Sequence, residues 1–399
     1  EEARRRILDA VTPLPPKQMP LVEANGCVLA QQMAVKHDLP YFASSAMDGF
    51  AVRSSDVSPA KPPSPVGLLI VGRAAVGRYP RVSVGPGEAV QIATGAPIPK
   101  GADCIVPIED CLVEGAAVLV SRSLEPGEFV RPAGQDLRAG EVIVPAGRVL
   151  GGPELGIIAA AGYASVAAHP KARVAVVSTG DELVEPGRRG RYGSIPDSNS
   201  YLLAGALQEA GAVALRVGIV PDDEAALERA IRENLARADC LITSGGVSVG
   251  ERDVVRNVLG SLGDVESYRV AVQPGMPQAF GLLKGKPFFG LPGNPVSVFC
   301  SFEMLVRPGL LKMMGRRDLD RPEIAAVLHE PVAGLAEKTR LVGVELSYRD
   351  GVCSARPTGP PASNLLGTLV RAHGLGMIPA GQLRARAGER VRIRVFRQA

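Results

Sequence analysis

The sequence predicts a multidomain α/β protein built on a doubly wound parallel sheet, with β-rich regions before and after it in the chain. From residue 171 to about 313, short buried apolar runs alternate with segments of helical periodicity. Each of those runs ends in a polar loop, most of them rich in glycine or proline. On either side the texture changes to short strands of alternating polarity, punctuated by many of the chain's 46 glycines and 34 prolines.

The N-terminus, Glu1-Glu2-Ala3-Arg4-Arg5-Arg6, opens an amphipathic helix and lacks the apolar core of a secretory leader. From about Tyr41 to Asp136, runs such as Glu88-Ala89-Val90-Gln91-Ile92 and Ala117-Val118-Leu119-Val120 read as a small β-rich domain. The nearly apolar stretch Leu155 to Ala168 is broken by Gly, Tyr and Ser and is too short to cross a bilayer. Val174 to Val177 reads as a buried strand that ends in Ser178-Thr179-Gly180-Asp181-Glu182. Asp197-Ser198-Asn199 supplies N-cap candidates for a helix through Leu202, Leu203 and Leu207, which Gly211 stops. A strand near Val213 to Val220 ends in Pro221-Asp222-Asp223, and the next helix carries Leu227, Ile231 and Leu235 on one face. Cys240 to Thr243 and Pro287 to Leu291 are further strands. Asn294 as cap and Pro295 at the first position open a helix to about Met314. This order calls for a parallel sheet with right-handed crossovers, whose ligands sit beyond the carboxyl ends of the strands. From about Pro322 the chain ends in alternation, Val391-Arg392-Ile393-Arg394-Val395, as in a compact β-barrel or sandwich.

Composition narrows the chemistry. A net charge of only +4, with no basic run interleaved with aromatics, argues against a dedicated nucleic-acid binder. The six cysteines (27, 104, 111, 240, 300 and 353) form no CxxC pair and the four histidines lie far apart, so zinc-ligand spacing is absent. They read as free thiols in a reducing compartment, the cytoplasm.

The most informative segment is Thr243-Ser244-Gly245-Gly246-Val247-Ser248-Val249-Gly250-Glu251-Arg252-Asp253. A strand feeding a glycine-rich loop and then a helix start binds anions, because free N–H groups and the helix dipole point at the ligand. Neither G-x-G-x-x-G nor the P-loop lysine is present. Gly246 to Gly250 does spell G-x-S-x-G, the nucleophile elbow of α/β-hydrolases. Here, however, Ser248 follows two glycines instead of standing on the turn directly after the strand, and the downstream histidines, His329 and His373, lie beyond this domain.

Acids gather at the same strand ends: Asp181 or Glu182, Asp222 or Asp223, and Asp253. Any one of them is explained by helix capping. Together they oppose an anion, since like charges about 4 Å apart repel by about 4 kcal/mol at an effective dielectric of 20. A divalent cation between acids and phosphate, or acids that handle protons, removes the conflict. A Mg²⁺-assisted reaction at a phosphoryl group or oxyanion is the expected chemistry.

Five motifs then match one family in its order. Ser45-Ala46-Met47-Asp48-Gly49-Phe50-Ala51-Val52 and Thr94-Gly95-Ala96-Pro97-Ile98-Pro99 are the first two. Ser178-Thr179-Gly180-Asp181-Glu182-Leu183, Ser244-Gly245-Gly246-Val247-Ser248-Val249-Gly250 and Gly290-Leu291-Pro292-Gly293-Asn294-Pro295-Val296-Ser297 are the others. The chain resembles the molybdopterin molybdenumtransferases, the family of bacterial MoeA and the gephyrin E domain. The resemblance implies an elongated four-domain protomer: a linker domain over 1–40 and 137–170, a β-rich insertion over 41–136, a molybdopterin-binding domain over 171–315 and a C-terminal β domain over 316–399. It also implies a homodimer that takes adenylated molybdopterin and molybdate, inserts the metal at the dithiolene and cleaves the phosphoanhydride with Mg²⁺ to release AMP. The upstream molybdopterin adenylyltransferase is an expected partner.

Position by position, the resemblance assigns Asp48, Thr94, Asp136, Glu182, Asp222 and Asp253 to catalysis, the last three also to Mg²⁺. Gly245, Gly246, Ser248, Arg269, Gln273, Gly293, Asn294, Arg340 and Ser363 are its candidate substrate contacts, Arg340 and Ser363 for molybdate. Arg269 stands where the family has a lysine, and Gln273 and Met276 stand where many members have basic residues. Two alternatives remain: the adenylyltransferase of the preceding step, which shares the doubly wound fold, and a non-catalytic scaffold of the same architecture.

Overall fold

A computed structural model describes residues 1–245, 258, 260 and 262–397 of the 399-residue chain. The chain forms two compact units: Glu1–Ala30 with Gly147–Gly151 and Ser165–Ala399, and Gln31–Ala146 with Gly152–Ala164.

The first unit is centred on a six-stranded sheet. Its elements are β1 (Arg173–Thr179), α1 (Asn199–Glu209), β2 (Val213–Val220), α2 (Glu224–Arg237), β3 (Cys240–Ser244), β4 (Gly263–Arg269), β5 (Pro277–Leu283) and β6 (Lys286–Leu291). The strand order is β2-β1-β3-β6-β5-β4. The four strands read from the sequence are mutually parallel, but β5 is antiparallel to β6 and β4 to β5, so the sheet is mixed. No crossover helix separates β5 from β6. Instead Lys284 (φ 48°) and Gly285 (φ 78°) form a two-residue turn with both residues left-handed, the geometry that returns a strand alongside itself.

Successive residues of β1 point to opposite faces, which is why its run is apolar throughout. Val174 and Val176, with Ile242, Phe289 and Leu291, pack under α1 through Leu203 and Leu207, and Ile7 of the N-terminal helix Glu2–Ala10 joins this core. Ala175 and Val177, with Leu241 and Phe288, pack on Leu227, Ile231 and Leu235 of α2. Each fully buried large side chain contributes about 1.5–3 kcal/mol.

After β6 a continuous helix runs from α3 (Pro295–Ser301) through a π turn, Phe302–Val306, into α4 (Arg307–Met313). Pro308 lacks an N–H and its ring collides with the carbonyl four residues back. The wider turn just before it accommodates both defects.

The C-terminal region is a closed barrel of β7 (Glu323–Leu328), β8 (Thr339–Arg349), β9 (Val352–Pro357), β10 (Gly374–Ile378) and β11 (Arg390–Val395). The order β8-β9-β7-β11-β10 closes by pairing β10 back onto β8. Closure leaves the five strands no bare edge for other chains to pair with. Small and branched side chains, Val342, Val344, Ala355, Ile378 and Ile393, fill the interior.

The second unit holds another six-stranded sheet, in the order Cys104–Pro107, Gly49–Val52, Glu88–Ile92, Val66–Ala74, Ala117–Val120, Cys111–Glu114. Phe50, Val52, Leu68, Ala89, Val106 and Val118 form its core. Gly49 has no alternative there, since a Cβ would stand 1.9 Å from the Val106 carbonyl oxygen. Among the described residues no helix is long and apolar enough to cross a membrane.

Candidate functional site

The last residues of the parallel strands line one edge of the sheet. Ser178 of β1 lies beside Ser244 of β3, which lies beside Leu291 of β6. Gly245 then turns the chain with φ 96°, and its N–H donates to the Leu291 carbonyl at 3.1 Å.

Part of this edge is polar and buried. Ser178, Thr179 and Thr243 are buried, and their hydroxyls have no hydrogen-bond partner among the described residues. Asn199, opening α1, sends Nδ2 to Ser244 Oγ (2.8 Å) and to the Gly293 carbonyl oxygen (2.6 Å). A carbonyl only accepts, so the atom facing Gly293 is the amide nitrogen and the orientation of the amide is settled. Asn199 Oδ1 is therefore a buried acceptor, also without a partner among the described residues. Asp197 accepts from the Ser200 N–H through Oδ1 (3.1 Å) while its Oδ2 is likewise unpartnered. Each unsatisfied group of this kind costs about 1–3 kcal/mol. Clustered at strand ends, these groups leave donors and acceptors that the described residues do not use.

Carboxylates crowd the adjacent corner. Asp181 Oδ1 accepts the Asp222 N–H at 3.1 Å, and Glu182 folds back over Gly180, where a Cβ would stand 2.6 Å from Glu182 Oε2. Partial burial raises the Asp222 carboxyl above its ordinary range, and the charges of Asp181 and Glu182 add to this, against an opposing backbone contact with Asp181. The folded protein thus holds that proton more tightly than the unfolded chain. The resulting penalty is absent below the ordinary carboxylate range and complete above the raised value. Asp222→Asn is expected to raise the melting temperature at neutral pH, with the difference closing as pH falls; thermal unfolding of both proteins across pH checks it.

Among the described residues no group of three or more His, Cys, Asp or Glu is placed to hold a metal ion by itself. Mg²⁺ asks for less, one or two carboxylates with the remaining oxygens from water and phosphate. Glu182 and Asp222, like charges held close, fit that requirement.

A second group surrounds the start of α3. The short strand Val272–Gln273 runs parallel to β8 and sets Gln273 beside Arg340. Arg340 is 9 % exposed, approaches the Pro361 carbonyl at 3.5 Å, and has no partner for Nε among the described residues. The Ser363 carbonyl accepts the Val296 N–H at 3.0 Å, which ties the barrel to the first turn of α3. Asn294 stands at the cap position with an extended backbone but makes no side-chain cap bond, and Pro295 follows at the first helical position. Gln273, Gly293, Asn294, Arg340 and Ser363 therefore gather near the end of β6.

The other expected site residues lie elsewhere. Arg269 ends β4 on the same edge, but three strands from β3, about 14 Å at the usual strand spacing. It lines a groove of about 360 Å³ with Glu1, Glu2, Ala3 and Arg6. In the second unit the exposed Asp48 and Thr94 meet directly, Asp48 Oδ1 accepting the Thr94 N–H at 2.8 Å. Asp136 is exposed, its N–H bonded to the Leu39 carbonyl at 3.0 Å. Gly246, Ser248 and Asp253 lie outside the described residues. All six cysteines are free, and burial pushes the thiols of Cys104, Cys111 and Cys300 up to about 12, which keeps them protonated.

Sequence reading did not single out the hydroxyls of Ser178, Thr179 and Thr243 or the carbonyl of Asn199. A signal was available: Ser-Thr and Thr-Ser pairs each close an apolar strand, at Ser178-Thr179 and Thr243-Ser244.

Three family models match the chain in succession: "MoeA N-terminal region (domain I and II)" over residues 1–162, "Probable molybdopterin binding domain" over 175–312 and "MoeA C-terminal region (domain IV)" over 325–396. Molybdopterin molybdenumtransferase 2 of Mycobacterium tuberculosis is 38% identical, covering 98% of each chain. Molybdopterin molybdenumtransferase of Haemophilus influenzae is 33% identical over 99% of this chain and 98% of its own. A crystal structure of the molybdopterin biosynthesis MoeA protein from Pyrococcus horikoshii superposes with a TM-score of 0.84 at 30% identity, covering 100% of this chain and 98% of that one. With relatives this similar along its whole length, the chain belongs to the molybdopterin molybdenumtransferase family.

Proposed function

We propose that this protein is the transferase that inserts molybdenum from molybdate into adenylated molybdopterin, with Mg²⁺-dependent cleavage of the phosphoanhydride and release of AMP. The observation that carries this reading is the shared edge of the sheet, where Asp222, raised by partial burial and then by the charges of Asp181 and Glu182, adjoins buried hydroxyls that have no partner among the described residues. Such an edge suits a polyoxygenated ligand that arrives with a cation.

Ser178, Thr179 and Thr243 donate to, or accept from, the oxygens and ring nitrogens of the pterin nucleotide, and the Gly245 turn lets it approach the backbone. Asn199 Oδ1 accepts from an N–H or O–H of the same ligand. Arg340 and Ser363 contact molybdate, the guanidinium through charge-assisted hydrogen bonds. Glu182 and Asp222, with Asp253, would hold Mg²⁺, which would supply charge neutralisation at the phosphoanhydride. Gly246, Ser248, Gln273, Gly293 and Asn294 complete the substrate contacts, and Arg269 serves as a more distant cation. Asp48, Thr94 and Asp136 are assigned to the reaction on the motifs that carry them, in a cytoplasmic homodimer supplied by the upstream adenylyltransferase.

The test is anaerobic incubation with adenylated molybdopterin, molybdate and Mg²⁺. AMP is expected to appear with molybdenum on the dithiolene, and chelation of divalent ions should stop its release. Incubation with molybdopterin and ATP should yield no adenylated product. Adenylation in that control would favour the preceding enzyme, and no turnover in either would favour a scaffold.

A further inference from the structure

Between Glu182 and Asp197 the chain leaves the site edge and returns to it through a loop, Pro186-Gly187-Arg188-Arg189-Gly190-Arg191-Tyr192-Gly193. Its stem is fixed. Leu183 and Val184 pair with Ile195 and Pro196, and Glu185 is held by Arg216 (3.2 Å) and by the Tyr201 hydroxyl (3.3 Å). Arg216 in turn donates to Ser200 Oγ (2.9 Å) and lies 3.8 Å over the Tyr201 ring. The tip is turned by Gly187 (φ 82°) and Gly193 (φ 93°) and folded close, since a Cβ on Gly190 would stand 2.4 Å from Ser194 Cβ.

Arg188, Arg189, Arg191 and Tyr192 are exposed, and the three guanidinium groups make no ion pair or hydrogen bond among the described residues. Three cations without a partner among the described residues are carried on a braced stem that springs from an edge bearing Asp181, Glu182, Asp222, Asp223 and Glu224. Those acids repel an anion before any cation can mediate. At the usual ionic strength a charge is felt over about 8–10 Å, so guanidinium groups on a loop rooted in the same edge can reverse the potential on the approach.

We propose that Arg188, Arg189 and Arg191 form an electrostatic capture arm that draws the phosphates of the anionic pterin nucleotide to the acidic edge. This rests on the function proposed above and deepens it by naming how a like-charged site acquires its substrate. The arm acts on encounter, so its effect lies in the association rate and in kcat/KM.

The experiment uses the full chain and a fluorescent ADP analogue as probe, followed by stopped flow at about 20 mM and about 200 mM salt. Two variants replace all three arginines, one with Gln and one with Glu. At low salt, association is expected to slow about tenfold in the Gln variant and further in the Glu variant, and the three proteins converge at high salt. The matching uncharged adenosine analogue should not distinguish them. Association that is absent or salt-insensitive in the wild-type protein, or equal in all three proteins at low salt, overturns the proposal. So does an equal loss with the uncharged probe. AMP release from adenylated molybdopterin is measured alongside. If the wild type releases none yet captures the nucleotide in this salt-dependent way, the insertion reading fails and the arm stands.

Discussion

Gly245→Ala is expected to lower AMP release about a hundredfold while the protein stays folded. Gly245 has φ 96°, a conformation that side-chain-bearing residues rarely adopt. A Cβ there would stand 2.7 Å from the Thr179 carbonyl oxygen and 3.1 Å from Thr179 Oγ1. The first contact is with backbone, so no rotamer change relieves it, and the Thr179 hydroxyl is one of the unpartnered groups of the site. Either the end of β1 moves or the turn does, breaking the bond from the Gly245 N–H to Leu291. The strain amounts to about 1–3 kcal/mol, small against the cores on both faces of the sheet. The chemical loss is larger because a displacement of about 1 Å in a positioned site costs about a hundredfold. AMP release measured beside thermal unfolding separates the two. Wild-type release from a folded variant would remove Gly245 from the site.

The largest stability effect is expected at Glu303, far from the strand ends. Its side chain, 1% exposed within the π turn, pairs with Arg321, itself 15% exposed, through two hydrogen bonds of 2.9 and 3.0 Å. Arg307 lies nearby, its guanidinium lowered by burial and by the charge of Arg321. Glu303→Ala would leave these cations facing each other with the buried countercharge gone, at a cost of about 3–5 kcal/mol. Glu303→Gln keeps the size and the hydrogen-bonding capacity and should cost less. Replacing Glu303 and Arg321 together by apolar residues should recover much of the loss. Chemical unfolding of the three variants gives the order; an alanine variant as stable as wild type would show that water reaches this pair.

Much of the fold was legible locally. The apolar run at Val174 to Val177, the helical spacing of Leu227, Ile231 and Leu235, and the Asn294-Pro295 start each correspond to an observed element. The hairpin of β5 and β6 was not read, because its signal is one left-handed pair, Lys284-Gly285, between two apolar strands that also fit a parallel sheet. The candidate site divides in the same way. Gly245, Glu182 and Asp222 stand out by their place after apolar strands, whereas the separation of Arg269 from them depends on the strand order.

The sequence by itself determined the alternation of strands and helices, the barrel-forming C-terminal pattern and the motifs that announce the family, because periodicity and turn chemistry act over a few neighbouring residues. Only the tertiary structure decided that Asn199 reaches Ser244 and Gly293, that the Thr179 and Thr243 hydroxyls remain unpartnered among the described residues, and that Arg340 meets the segment before Ser363. Whether a buried polar atom is satisfied depends on every atom the fold brings around it. Those atoms come from segments tens of residues apart, whose pairing no local pattern encodes.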